Sequence, residues 1–148
     1  MLTLENIRSL YSTSPNAYLI LLPDAPRFTI ADANEAFLSI TNTHRSDIIG
    51  KGIFEAFPDN PIHHGLKGIR AVKSSLEHAL LLKKNYKKTL QRYDLKKSDG
   101  FEVCFWSYDT FPLLDENNNV KYIVQNPVDV TSSVISQYEQ TILQNTGG

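Results

Sequence analysis

The sequence predicts an α+β domain: five antiparallel strands, helices on one face of the sheet, an amphipathic helix at the N-terminus and a further helix at the C-terminus. Three observations carry this. Two short strand-like runs lie at 17–22 and 28–32 with the turn Pro23-Asp24-Ala25-Pro26 between them. One long pattern of period 3.6 over 66–84 separates them from three more strand candidates. The middle candidate, 101–110, carries large groups on both parities, so both faces of its sheet must be covered.

The elements follow in order. Leu4, Ile7, Leu10 and Tyr11 share one helical face over 2–13, and Ser14-Pro15-Asn16 ends that helix. This helix is the natural cover for one face of the sheet, with Ile7, Leu10 and Tyr11 packing inward. The apolar run Ala17–Leu22 reads as a buried strand, and 28–32 as its hairpin partner. Asp32 or Asn34 caps a helix over 35–40. Short helical pieces at 46–49 and 53–57 are broken by Gly50 and Gly52. In the long helix Ile69, Val72, Leu76, Ala79 and Leu80 make the apolar stripe. Strands are expected at 88–95, 101–110 and 120–128, with a turn at 97–100. After Thr131, residues Ile135, Tyr138 and Ile142 form a narrow seam of period 3.5, suited to a two-helix contact.

Composition bounds the function. A chain of 148 residues is one domain's worth. Its net charge of −1 favours neither nucleic acid nor an anionic membrane. The single cysteine excludes an internal disulfide. With no long apolar run and no signal-peptide pattern, a cytoplasmic setting without membrane contact is expected.

Several stretches resemble the PAS family. Ser14–Ile20 looks like the entry to its first strand, and Ile30–Phe37 like its second strand turning into a helix. Arg45–Glu55 is similar to the segment before the ligand-side helices, Pro112–Ile123 to the last hairpin. Asp129-Val130-Thr131 matches the triplet that joins the last strand to a signalling helix. Residues 53–61, 91–95 and 105–107 resemble the PAS modules at the N-terminal end of bacterial sensor histidine kinases. The resemblance implies an N-terminal helix (1–13), a PAS domain (14–131) and an output helix or linker (132–148). It further implies a two-component sensory module that forms a homodimer and feeds a downstream kinase or other effector.

A PAS pocket lies between the sheet and the long helix. By analogy Cys104, Trp106, Tyr108 and Thr110 point into it, so Phe101, Val103 and Phe105 face the N-terminal helix. Phe54, Phe57, Ile69, Val72 and Leu76 complete the expected pocket. Trp106 and Tyr108 can equally be core filling with no ligand, and the ligand itself stays unknown. Haem is disfavoured because His78 lies about 200° around the helix from Leu76. His63 and His64 lack a third ligand, and no metal is expected. Covalent flavin chemistry is disfavoured because 53–58 holds no cysteine and Cys104 sits on a strand. Asp129 and Thr131 are the expected signal relay and equally the expected caps of the helix that follows, Thr131 being a good N-cap. No nucleophile elbow, P-loop or HExxH is present, so the chain itself is read as non-catalytic. The alternative is a small-ligand-binding or enzymatic domain of related α+β fold.

Overall fold

A computed structural model of the chain describes residues 2–62 and 66–146; His63 and His64 fall outside them. Helix α1 (Leu4–Tyr11) starts where the Thr3 side chain accepts the Asn6 N–H. Strands β1 (Leu19–Leu21) and β2 (Ile30–Ala33) form the first hairpin. Helix α2 (Glu35–Thr41) is capped by Asn34, and the short helices α3 (Arg45–Ile48) and α4 (Ile53–Ala56) follow. Helix α5 (Leu66–Leu82) leads into β3 (Tyr86–Arg92). Next come β4 (Leu95–Lys97), β5 (Gly100–Glu102), β6 (Phe105–Leu114), β7 (Val120–Asp129) and α6 (Thr131–Thr146).

The main sheet has five antiparallel strands in the order β2-β1-β7-β6-β3. The third strand expected at 88–95 instead ends at Arg92, and the expected strand at 101–110 is divided. Leu95–Lys97 and Gly100–Glu102 pair with each other as a separate two-stranded sheet around the expected turn. The main chain then re-enters the large sheet at Phe105.

Two apolar clusters lie on opposite faces of the large sheet. On the α5 side, Leu19, Leu21, Trp106, Tyr108 and Ile123 pack with Val72, Leu76, Ala79, Phe28 and Phe37. On the other side, Ile7 and Tyr11 of α1 pack on Ile20, Tyr122 and Val124, flanked by Phe111 and Leu113. So α1 does cover the second face, but over the centre of the sheet. Phe101 and Val103 do not face it: Phe101 belongs to the small sheet, and Val103 is 46 % exposed. Leu10 is also corrected, being 78 % exposed. An eight-residue helix turns only a narrow stripe inward, and Ile7 with Tyr11 at i, i+4 fill it.

What clamps α1 is polar. Asp32, expected as a possible helix cap, instead accepts from the Tyr11 hydroxyl, from Arg45 Nη1 at 2.6 Å and from Arg8 Nε at 3.3 Å. Its side chain is 7 % exposed, so these partners satisfy a carboxylate that burial would otherwise penalise. Asn34 carries out the capping, its Oδ1 accepting from Phe37 N and Tyr18 N, while its Nδ2 donates to the carbonyls of Tyr11 and Asn16.

Candidate functional site: a small apolar cavity and an anchored terminal helix

Between α5, the short helices and the sheet lies a cavity of about 80 Å³. Four residues expected in the pocket line it: Phe57, Val72, Trp106 and Tyr108. The other five take different places. Leu76 is fully buried in the core, Cys104 is 2 % exposed in the same cluster, Thr110 is fully buried beneath the cavity, and Phe54 and Ile69 are half-buried without lining it. Val72, one turn before Leu76 and about one turn after Ile69, is the α5 residue that reaches the cavity.

The walls missed by sequence reasoning are Leu19 of β1, Phe37 and Thr41 of α2, Ile53 of α4, Tyr93 and Leu95 after β3, and Gln125 and Pro127 of β7. Phe37 meets Phe57 edge-on at 5.8 Å. Tyr93 closes one side, its hydroxyl donating to the Phe57 carbonyl and its own carbonyl accepting from Trp106 Nε1 at 2.8 Å. Asp94 next to it is buried, and accepts from Arg92 Nε and Nη2 at 2.9 Å each, from Asn60 Nδ2 at 2.9 Å and from Cys104 N. Burial pulls its carboxyl up, but these hydrogen bonds outweigh that and hold it below the usual carboxylate range. Asp94 thus ties the 57–62 loop, the end of β3 and the start of β6 together. The signal for Gln125 was legible: it is the one polar side chain between Ile123 and Pro127 on the inward parity of β7.

A polar floor underlies the apolar lining. Gln125 Nε2 donates to Thr110 Oγ1 at 3.1 Å and to Ser75 Oγ at 3.4 Å, and Ser75 Oγ donates to the Val72 carbonyl. Tyr108 is 5 % exposed, yet its hydroxyl makes no hydrogen bond among the described residues. Ser75 lies close enough to ease its ionisation slightly, but burial and the nearby Tyr86 prevail and push the phenol up to about 12.

The cavity bounds what the site does. Ligand pockets usually enclose roughly 300–1,000 Å³, and a dry cavity of about 150 Å³ takes benzene. The present space admits a few heavy atoms unless lining side chains move. His78 does not reach it; it is half-buried, not fully solvated, with its ring 5.2 Å from that of Tyr86. Burial and Glu102 push the Cys104 thiol up to about 11, so it is protonated at neutral pH.

The relay lies at the same end of β6 as the cavity. Helix α6 begins at Thr131, and Asp129 Oδ1 accepts both the Thr131 N–H at 2.9 Å and its hydroxyl at 2.6 Å. Asp129, not Thr131, therefore caps the helix. Thr131 Oγ1 instead accepts the Phe105 N–H at 2.9 Å, and Val130 N donates to the Phe105 carbonyl. The helix start is bonded to the first residue of β6, one position before the cavity wall Trp106. From Ile135 to Asn145 every side chain of α6 is exposed, Tyr138 at 67 % and Ile142 at 43 %.

No helix among the described residues is long and apolar enough to cross a membrane, and no three His, Cys, Asp or Glu side chains among them cluster as metal ligands. A search of curated proteins finds no sequence match. Solved structures share the fold. The PAS domain from Bordetella pertussis BvgS is 18 % identical over 97 % of both chains, with a TM-score of 0.64. The PAS domain from the fruit-fly ELK potassium channel is 18 % identical over 88 % of this chain and 99 % of that one, at 0.63. The Rhodobacter sphaeroides LOV protein is 17 % identical over 85 % of this chain, at 0.64, and the match spans 65 % of that protein's length. The family model described as "PAS domain" matches residues 15–132. That match covers well over half of the sequence, and the chain belongs to the PAS domain family.

Proposed function

We propose that this PAS domain is the sensory and dimerising module of a bacterial two-component protein, in the cytoplasm, whose histidine kinase activity resides in a separate effector region. The observation that carries the reading is α6: a 16-residue helix bonded at its start to β6 and exposed from Ile135 to Asn145. Most helical stability in proteins comes from packing an apolar face, so a partner surface for the seam of Ile135, Tyr138 and Ile142 is expected, and a second α6 supplies one at the spacing of a coiled coil. The only charge on the helix is Glu139, which leaves little repulsion between two copies. A change in the cavity reaches α6 through Trp106, Phe105 and Thr131, a path of adjacent residues and direct hydrogen bonds. The kinase context is supported by the resemblance of residues 53–61, 91–95 and 105–107. The relay needs no catalytic step in this domain, and the cavity lining carries no charged side chain or His among the described residues.

Sedimentation analysis of the Ile135→Asp and Tyr138→Asp variants tests this. The expected result is a dimeric parent and monomeric variants with an unchanged thermal transition. A monomeric parent, or variants that stay dimeric, would remove α6 as the dimer and output element. Native mass spectrometry of protein purified without additives, before and after exposure to cell extract, reports on the ligand: a bound mass is expected, and a bare chain in both counts against ligand sensing.

A further inference from the structure

The net charge of −1 conceals a concentrated positive strip. Residues 83–97 hold seven of the 15 Lys and Arg but one of the 16 Asp and Glu. That one acid, Asp94, is buried and occupied by Arg92. Lys83, Lys84, Lys87, Lys88, Lys96 and Lys97 remain. Acidic neighbours answer two of them across exposed pairs, Asp109 to Lys87 at 3.4 Å and Glu102 to Lys97 at 3.5 Å. Such pairs are weak and readily exchanged.

This strip runs along β3, the terminal strand of the large sheet, which among the described residues pairs on one side only, with β6. A strand directs half of its backbone N–H and C=O groups to each side, so an edge is a template for another strand. Lys87, Thr89 and Leu90 are exposed along it, and Leu81 and Leu82 at the end of α5 are 74 % and 57 % exposed beside it. Lysines on an edge discourage two copies of the same edge from pairing, because like charges would stand opposite each other. The same lysines attract an acidic strand. The edge thus discriminates by charge: it rejects itself and accepts a partner of opposite sign.

We propose that the β3 edge is a docking site for an extended, acidic segment of a partner protein, which adds to the sheet next to β3 with its carboxylates on the face of Lys87 and its apolar side chains on the opposite face, where Tyr86 lies. This does not rest on the reading of α6.

The test uses three fluorescent probes and anisotropy: an alternating Glu-Val octapeptide, an alternating Glu-Pro octapeptide of equal charge, and a single-stranded oligonucleotide of similar length. The Glu-Val peptide is expected to bind, more weakly as salt rises, and to slow hydrogen exchange at 86–91. The Glu-Pro peptide, lacking donors on alternate residues, is expected to bind at least about tenfold more weakly. The double variant Lys87→Glu, Lys88→Glu, with an unchanged thermal transition, is expected to lose about tenfold or more of Glu-Val affinity. Equal binding of the Glu-Pro peptide or of the oligonucleotide would reduce the edge to a generic polyanion surface and overturn the proposal. So would failure of the Glu-Val peptide to bind at low salt.

Discussion

Two tyrosines on the cavity wall differ by one hydrogen bond, and removing each hydroxyl should move stability in opposite directions. The Tyr93 hydroxyl donates to the Phe57 carbonyl, whereas the Tyr108 hydroxyl is buried without a partner among the described residues. Tyr93→Phe removes a bond and strands a carbonyl, at a cost of about 1–2 kcal/mol. Tyr108→Phe removes a group that burial penalises by about 1–3 kcal/mol, so stability should hold or rise by about 1 kcal/mol. The two variants should therefore differ by about 1–3 kcal/mol, or roughly 3–10 °C in melting temperature for a domain of this size. Urea titration at neutral pH, followed by the fluorescence of the single tryptophan, Trp106, measures both. If Tyr108→Phe destabilises as much as Tyr93→Phe, the Tyr108 hydroxyl is hydrogen-bonded in solution and is not an orphaned group.

Two further outcomes concern the relay and the tyrosines. Thr131→Val keeps the side-chain volume but removes the acceptor for Phe105 N–H and the bond to Asp129. Hydrogen exchange in the first turns of α6 should quicken several-fold, corresponding to about 1 kcal/mol of local stability; unchanged exchange would show that Thr131 does not hold the helix to β6. Burial raises Tyr11 and Tyr108 from 10.0 to about 12 and raises Tyr93 as well, the Tyr11 bond to Asp32 adding to its shift. A raised folded-state pKa means that the neutral phenols stabilise the fold fully below pH 10 and that this contribution falls away between pH 10 and about 12. Absorbance at the phenolate band should show these tyrosines ionising only on the high-pH side, together with unfolding. Ionisation of all tyrosines near pH 10 in a chain that remains folded would contradict their burial.

Much of the fold was legible because it is written in local periodicity. The α5 stripe through Val72, Leu76 and Ala79 follows from a spacing of 3.6; a spacing of 2 puts Trp106, Tyr108 and Thr110 on one face, and the resemblance to the PAS family said which face turns inward. The division of the expected strand at 101–110 was not legible, since Phe101 and Val103 continue an apolar run that looks like more strand. What breaks it is the Cys104 N–H turning to the Asp94 carboxylate and Cys104 O to Tyr93 N. The cavity was half legible for the same reason. Its sheet residues share one parity, but Phe37, Thr41 and Tyr93 arrive from segments whose direction local patterns do not encode.

By itself the sequence determined the α+β order, the two covered faces of the sheet and an apolar seam on the last helix, because each depends on neighbours within about two turns or a few strand positions. Only the tertiary structure decided which polar groups meet. Asn60 reaches Asp94 across 34 positions, and Thr131 reaches the Phe105 N–H across 26. Such hydrogen bonds compensate burial only once the chain has closed on itself, so no local pattern announces them. The output helix joins both origins: the seam of Ile135, Tyr138 and Ile142 is written in the chain, whereas its bond to Phe105, one residue before the cavity wall, exists only in the fold.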